Sequence, residues 1–157
     1  MKIKLISIGK TEEKYLQEGI LIYCKKLAHY FPFQYEEFPA IKQTKNLSVN
    51  EQKKQEGDVI LKKIMPSDIV VLLDETGIRP SSVEFSVFLQ QRMLQNNKQL
   101  VFVIGGAYGF SQEVYNRKDY LLSLSAMTFS HQMVRLIFLE QLYRAASILR
   151  NEPYHHG

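Results

Sequence analysis

Cysteine is almost absent from the 157-residue sequence: Cys24 stands alone, so no internal disulfide can form. Long apolar runs are missing as well. The longest, such as Ile69 to Leu73 and Leu100 to Ile104, fall far short of the roughly 20 residues that cross a bilayer, which excludes a helical membrane span. The opening Met1-Lys2-Ile3-Lys4-Leu5 lacks the uncharged core of a signal peptide, and the expected location is the cytoplasm. Eight glycines and five prolines show no enrichment of the fibrous or disordered kind. Neither sign of charge dominates. Lys and Arg number 20 against 16 Asp and Glu, leaving +4, enough to permit attraction to a polyanion without demanding it. No His, Cys or acidic residues recur at metal-ligand spacing, so no metal is expected.

With 45% hydrophobic residues, nine Phe and nine Tyr, the chain has material for one continuous core, and residues 1–157 read as a single domain. Ile3 to Ile8, closed by Gly9, reads as a buried strand and its turn. Thr11 reads as an N-cap, with Glu12 and Glu13 suited to the positive end of a helix. Its apolar positions, Tyr15, Leu16, Ile20, Tyr23, Cys24 and Leu27, keep helical spacing until the Pro32 break. Phe33 to Phe38 predicts a second strand. A polar connection from Pro39 to Asn50, with Lys42 and Lys45, leads into a charged helix ending near Ile64. Beyond Pro66 the pattern is regular: strand Ile69 to Leu73, helix Ser81 to Leu94, strand Leu100 to Ile104. Continuous apolar strands separated by helices belong to parallel sheets covered on both faces, so the fold class is α/β, a mostly parallel sheet flanked by helices.

Gly105-Gly106-Ala107-Tyr108-Gly109 leaves a buried strand directly and precedes Ser111, an N-cap for a short helix through about Arg117. Glycines there let backbone approach a ligand closely. A plain strand-to-helix turn carries the same signature, and both readings stay open. The run is neither the G-x-G-x-x-G of dinucleotide folds nor a P-loop ending in Gly-Lys-Ser/Thr, which disfavours a nicotinamide enzyme and a nucleoside triphosphatase. Leu121 to Leu124 predicts a fifth strand, followed by Ser125-Ala126-Met127-Thr128-Phe129-Ser130-His131, small and polar residues interleaved with Met and Phe. Open α/β sheets bind ligands beyond the carboxyl ends of their strands, where the Leu73, Gly105 and Leu124 segments all terminate. A shared pocket is the expectation.

From Gln132 to Arg150 a helix carries apolar residues in almost every direction, among them Met133, Leu136, Phe138, Leu142 and Tyr143. Both sides are expected to be buried, one by the sheet and the other by a partner subunit. Arg135 and Arg144 fall nine positions apart, which at about 100° per residue places them on opposite helix faces. Glu140 and Arg144 also have the spacing of an ordinary i,i+4 ion pair, which competes with a functional role for Arg144. Pro153 stops the helix and leaves Tyr154, His155 and His156 in a tail of the kind that ordinarily frays.

Several segments, taken together and in order, resemble one family. They are Leu72-Leu73-Asp74-Glu75-x-Gly77, Phe102-Val103-Ile104-Gly105-Gly106-x-x-Gly109, Leu124-Ser125-x-Met127-Thr128-Phe129-x-His131, Val134-Arg135, Glu140-Gln141-Leu142-Tyr143-Arg144-Ala145 and Pro153-Tyr154-His155. The family is RlmH, small SPOUT-class methyltransferases that use S-adenosylmethionine to methylate N3 of a pseudouridine in bacterial large-subunit ribosomal RNA. The likeness extends from Lys2-Ile3-x-Leu5-Ile6-x-Ile8-Gly9-Lys10 to the tail. It implies a SPOUT fold whose carboxyl-terminal part is threaded as a trefoil knot, a topology that general threading rules would reject. It also implies a homodimer acting on large-subunit rRNA in the assembled ribosome.

By matching position, the resemblance implies an S-adenosylmethionine site formed by Leu73, Gly105, Leu124, Ser125, Ala126, Met127, Thr128 and Phe129. Chemistry and RNA placement pass to His131, Arg135, Arg144, Tyr154 and His155, with His155 helping N3 to lose its proton and Tyr154 stacking on the base. Family members commonly carry a basic residue after the Tyr-His pair. Here His156 and Gly157 follow, and His supplies that charge only in part at neutral pH. Two readings from other classes compete: a catalytically silent RNA-binding or ribosome-assembly module of the same fold, and a small flavodoxin-like ligand-binding protein. Titration with S-adenosylmethionine separates the enzyme from the second, and methylation of purified ribosomes, against binding alone, from the first.

Overall fold

The computed structural model describes residues 1–42, 46–95 and 99–157. Lys45, assigned above to the polar connection, lies outside them. Five parallel strands, β1 (Ile3–Ile8), β2 (Phe33–Phe38), β3 (Ile69–Ile78), β4 (Leu100–Ile104) and β5 (Tyr120–Leu122), make one sheet in the order β2-β1-β4-β3-β5. Helices α1 (Lys14–Leu27), α3 (Ser82–Met93) and α5 (Met133–Leu149) cover one face, and α2 (Val49–Lys62) and α4 (Gln112–Arg117) the other. The α/β expectation holds.

Alternate residues of the central strands serve two cores. Leu5, Val71 and Phe102 pack with Phe85, Phe138 and Leu142, whereas Ile6, Val70 and Val103 join Ile60 and Val114. Burial on both faces is why these strands read as unbroken apolar runs. Local signals set the helix starts: Ser48 and Ser81 form capping boxes with Glu51 and Glu84, and the Ser111 hydroxyl accepts from Val114 N.

Elsewhere distant contacts override the local pattern. Thr11 is not a cap: α1 begins at Lys14, behind Glu13, with no side-chain cap, and the Thr11 hydroxyl donates to Glu37 instead. Strand β3 runs on to Ile78, because the chain arches after Leu73 and returns so that Leu122 pairs with both Leu73 and Ile78. Gly77 is required in that arch, where a Cβ would lie 2.5 Å from Leu122 N. The fifth strand spans Tyr120–Leu122, shorter than expected, and past its end Ser123 N still donates to Ile78 O at 2.7 Å. The apolar sides of α5 are covered largely within the chain, since α1 and α3 both pack along it. Leu136 fits against Gly19 of α1, where a Cβ would meet Leu136 Cδ2 at 3.0 Å. The all-round apolar character of α5 therefore does not in itself demand a second subunit.

Candidate active site

The carboxyl ends of β3, β4 and β5 meet at a cavity of about 390 Å³. Leu73, Gly105, Leu124, Ser125, Met127, Thr128, Phe129 and His131 all line it, while Ala126, in the same loop, does not. Its deep side is formed by the buried Ile104, Phe110 and Leu122, and Asp74 and the exposed Glu75 bring carboxylates to its edge. The glycines of the 105–109 turn meet separate needs. Gly109 takes φ +83°, the left-handed region that side chains resist. Gly105 leaves room for a neighbour, since a Cβ there would meet the Phe110 ring at 3.0 Å. The Gly105 wall is thus shaped by internal packing as well as by its exposure to the cavity.

The 123–131 loop is tied to itself. Ser123 Oγ donates to Ser125 O at 3.0 Å, and Met127 N to Ser125 Oγ at 2.9 Å. At the start of α5, where Gln132 makes no side-chain cap, Ser130 Oγ accepts from Met133 N at 3.1 Å. Across the cavity, Asp74 Oδ1 accepts from Thr76 N at 2.9 Å and Thr76 Oγ1 at 2.5 Å, and Oδ2 accepts from Tyr115 OH. Partial burial opposes the Asp74 charge, but these donors outweigh it and hold the carboxyl below its usual range. Burial and the adjacent Asp74 in turn push the Tyr115 phenol up.

Arg135 occupies a different place from the one expected of it. Its side chain is 0% exposed. Nε donates to His131 O at 2.9 Å, Nη2 to Ile8 O at 3.1 Å, and Nη1 to Gly9 O, Thr11 Oγ1 and Glu37 Oε2 at 2.8, 3.0 and 3.0 Å. A guanidinium so enclosed does not line the cavity. Arg135 ties the ends of β1 and β2 to His131, at the margin of the cavity. Glu37 balances its charge. Burial works against that carboxylate, but hydrogen bonds from Thr11 and Tyr35, with Arg135 alongside, keep its titration below the ordinary value.

Arg144, Tyr154 and His155 form a second cluster. Asn151, at φ 55°, lets its N–H reach Ile148 O and the Glu152 N–H reach Ser147 O, both at 3.0 Å. That Schellman turn folds the tail back, so it is packed where fraying was expected. Glu140 Oε1 accepts from Arg144 Nη2 at 2.6 Å and Tyr154 OH at 2.9 Å, and the Arg144 guanidinium lies 4.7 Å from the Tyr154 ring centre. The i,i+4 pair therefore exists, within a larger arrangement. Arg144 Nη1 also sits 3.1 Å from His155 Nδ1. Because a guanidinium only donates, Nδ1 must accept, which leaves the proton of a neutral His155 on Nε2. In this state His155 presents a donor, where a proton acceptor was expected.

The two centres are separate within one chain. Val134 lines the cavity, and Arg144 lies ten residues further along α5, about 15 Å on the helix axis. The link between them is Gln141, whose Nε2 donates to Glu140 Oε2 at 2.8 Å and whose Oε1 accepts from Ser82 Oγ at 2.7 Å. Gln141 and Ser82 border a smaller cavity of about 240 Å³ that shares Leu122, Ser123 and Leu124 with the first. Asp74, Glu75 and Gln141 were present in the motifs read from sequence but received no role there. Asp74-Glu75 directly after a buried strand was the available signal. Among the described residues no group of His, Cys, Asp and Glu could hold a metal ion.

A family model described as "Predicted SPOUT methyltransferase" matches residues 1–155. The ribosomal RNA large subunit methyltransferase H of Christiangramia forsetii is 58% identical over 156 residues, covering 99% of each chain. Proteins of that name from Parabacteroides distasonis and Flavobacterium johnsoniae are 55% and 56% identical with the same coverage.

Proposed function

The chain belongs to the SPOUT methyltransferase family, and on that premise we propose that it is a large-subunit rRNA methyltransferase that moves the methyl group of S-adenosylmethionine to N3 of a pseudouridine. In this reading it works in the cytoplasm on assembled bacterial ribosomes, as a homodimer, with the trefoil knot that the family implies. The observation that carries it is the cavity at the strand ends. About 390 Å³ falls within the roughly 300–1,000 Å³ of small-molecule sites. Its buried apolar side suits a flat adenine, and the Asp74 and Glu75 carboxylates suit ribose hydroxyls and a cationic donor. These residues fit S-adenosylmethionine, which when bound supplies an electrophilic methyl group on a positively charged sulfur.

The chain's own contribution is positioning. Backbone of the 105–109 turn and the 123–131 loop frames the donor, and the network around Asp74 keeps a negative charge at its edge. The tail cluster places the RNA. Arg144 offers charge to the phosphate backbone, Tyr154 a ring on which a base can stack, and His155 an Nε2–H for a base carbonyl or phosphate oxygen. Loss of the N3 proton then falls to another acceptor or to solvent. The separation of roughly 15 Å along α5 supports a composite site, in which one subunit holds the donor and the other supplies the tail. Exposed Val83 and Val87 on α3, with Leu21 and Ile22 on α1, offer apolar surface for such pairing. No helix among the described residues is long and apolar enough to cross a membrane.

Calorimetric titration with S-adenosylmethionine, followed by methyl transfer to purified ribosomes, tests the reading. Saturable binding and transfer are expected. Binding of RNA without transfer would favour a silent module, and absence of donor binding would remove the cavity as a donor site.

A further inference from the structure

Glu56 is a buried acid that nothing above employs. It lies on α2, on the sheet face opposite α5, and is 3% exposed. Its Oε2 accepts a long hydrogen bond from Ile41 N at 3.4 Å, and its Oε1 has no partner among the described residues. Gln52, one helical turn earlier and also buried, likewise has an unpartnered Oε1. A carboxylate left so poorly solvated is costly unless its position serves something.

Its neighbour indicates what that is. A Cβ on Gly106 would lie 2.7 Å from Glu56 Oε1 and 3.0 Å from Oε2. Gly106 lines the large cavity and Glu56 does not, so the carboxyl group stands behind the turn, against its backbone. We propose that Glu56 is a positioning residue for the donor site, setting through Gly106 the path of the 105–109 backbone. The proposal rests on the reading of the cavity as an S-adenosylmethionine site. It also explains why Gly106, whose φ is not positive, is glycine: the missing side chain is the space that the acid fills.

Glu56 acts through its shape and position against Gly106. Burial raises its titration above the ordinary value, outweighing what Ile41 N and the side chain of Gln52 give back. Ile41 N and the side chain of Gln52 are its polar partners, and Ser111 packs against the next residue, Gly57. Because the group fills the space left by Gly106, a side chain of the same shape should serve in its place.

A double-mutant cycle on the full-length protein, read by calorimetric S-adenosylmethionine affinity with thermal denaturation alongside, tests the idea. Gly106→Ala should weaken binding at least about tenfold by pushing the turn off the acid. Glu56→Gln should keep wild-type affinity and Glu56→Ala should lose several-fold. Combining Gly106→Ala with Glu56→Ala should recover most of the loss, since the obstructing carboxyl group is gone. Additive losses in the double variant, or Glu56→Ala binding like wild type, would overturn the proposal. If Gly106→Ala does not fold, the contrast between Glu56→Gln and Glu56→Ala decides alone, and equal affinities reject it. A wild-type protein that does not bind the donor would instead remove the function reading on which this rests.

Discussion

Replacing Arg135 by leucine puts a number on the tie between the strand ends and the cavity. The substitution keeps apolar bulk but removes every donor to Ile8 O, Gly9 O, His131 O, Thr11 Oγ1 and Glu37 Oε2. Breaking a buried ion pair by removing one partner costs roughly 3–5 kcal/mol, because the other charge is left uncompensated. Side-chain exposure of 20% at Glu37 lets water recover part of that, and the orphaned carbonyls add back a similar amount, so about 4 kcal/mol is expected. At roughly 2.1 cal/mol/K of unfolding entropy per residue, a chain of 157 residues should then lose about 12 °C in Tm. Scanning calorimetry at fixed protein concentration measures this. The His131 carbonyl is also released, so S-adenosylmethionine affinity should fall in whatever fraction stays folded at 15 °C. A Tm drop below about 3 °C would refute the reasoning, since Arg135 would then be replaceable by apolar packing alone.

Glu37 provides a pH counterpart. Its folded titration lies below the unfolded value of 4.5, so its contribution is complete above pH 4.5 and is lost as pH falls through the lower folded value. Denaturant midpoints should decline below about pH 4.5, and Glu37→Gln should flatten that decline while lowering stability at neutral pH. Tyr115→Phe removes a donor to Asp74, so the Asp74 carboxyl should titrate higher and the acid-side decline of S-adenosylmethionine affinity should begin at a higher pH than in the wild type, with little change at pH 8. An affinity profile that does not move on the acid side would remove Asp74 from the site. Gly105→Val should abolish donor binding and also reduce Tm, because its side chain meets Phe110 before any ligand. Deleting residues 153–157 should leave donor affinity nearly intact but sharply reduce transfer to ribosomes. Mixing that chain with Gly105→Val should restore part of the activity if each site draws on two subunits.

The sheet was legible because its signals are local. Unbroken runs such as Ile3 to Ile8 and Leu100 to Ile104 mark strands buried on both faces, and Ser81 and Ser111 announce their helices through hydroxyls that accept backbone N–H groups three residues on. The cavity followed from where those strands end. Residues whose role is set by distant partners were not legible. Thr11 has the composition of a cap, yet it answers to Glu37 and to Arg135 across the fold. Arg135 sits on a helix face that spacing alone opposes to Arg144, without revealing that β1 and β2 close over it. Glu56 lies in a charged helix whose pattern suggests solvent, yet it is interior, with Ile41 N and the 105–109 turn brought against it by the fold. The packed tail depends on one left-handed residue, Asn151, which sequence does not distinguish from an ordinary helix end.

The most direct test of the account is nucleoside analysis of large-subunit rRNA after purified ribosomes are incubated with this protein and S-adenosylmethionine carrying an isotopically labelled methyl group. The label should appear in a single N3-methylated pseudouridine, and only when the protein is present. Donor binding with no label in rRNA, or label confined to a different nucleoside, would contradict it.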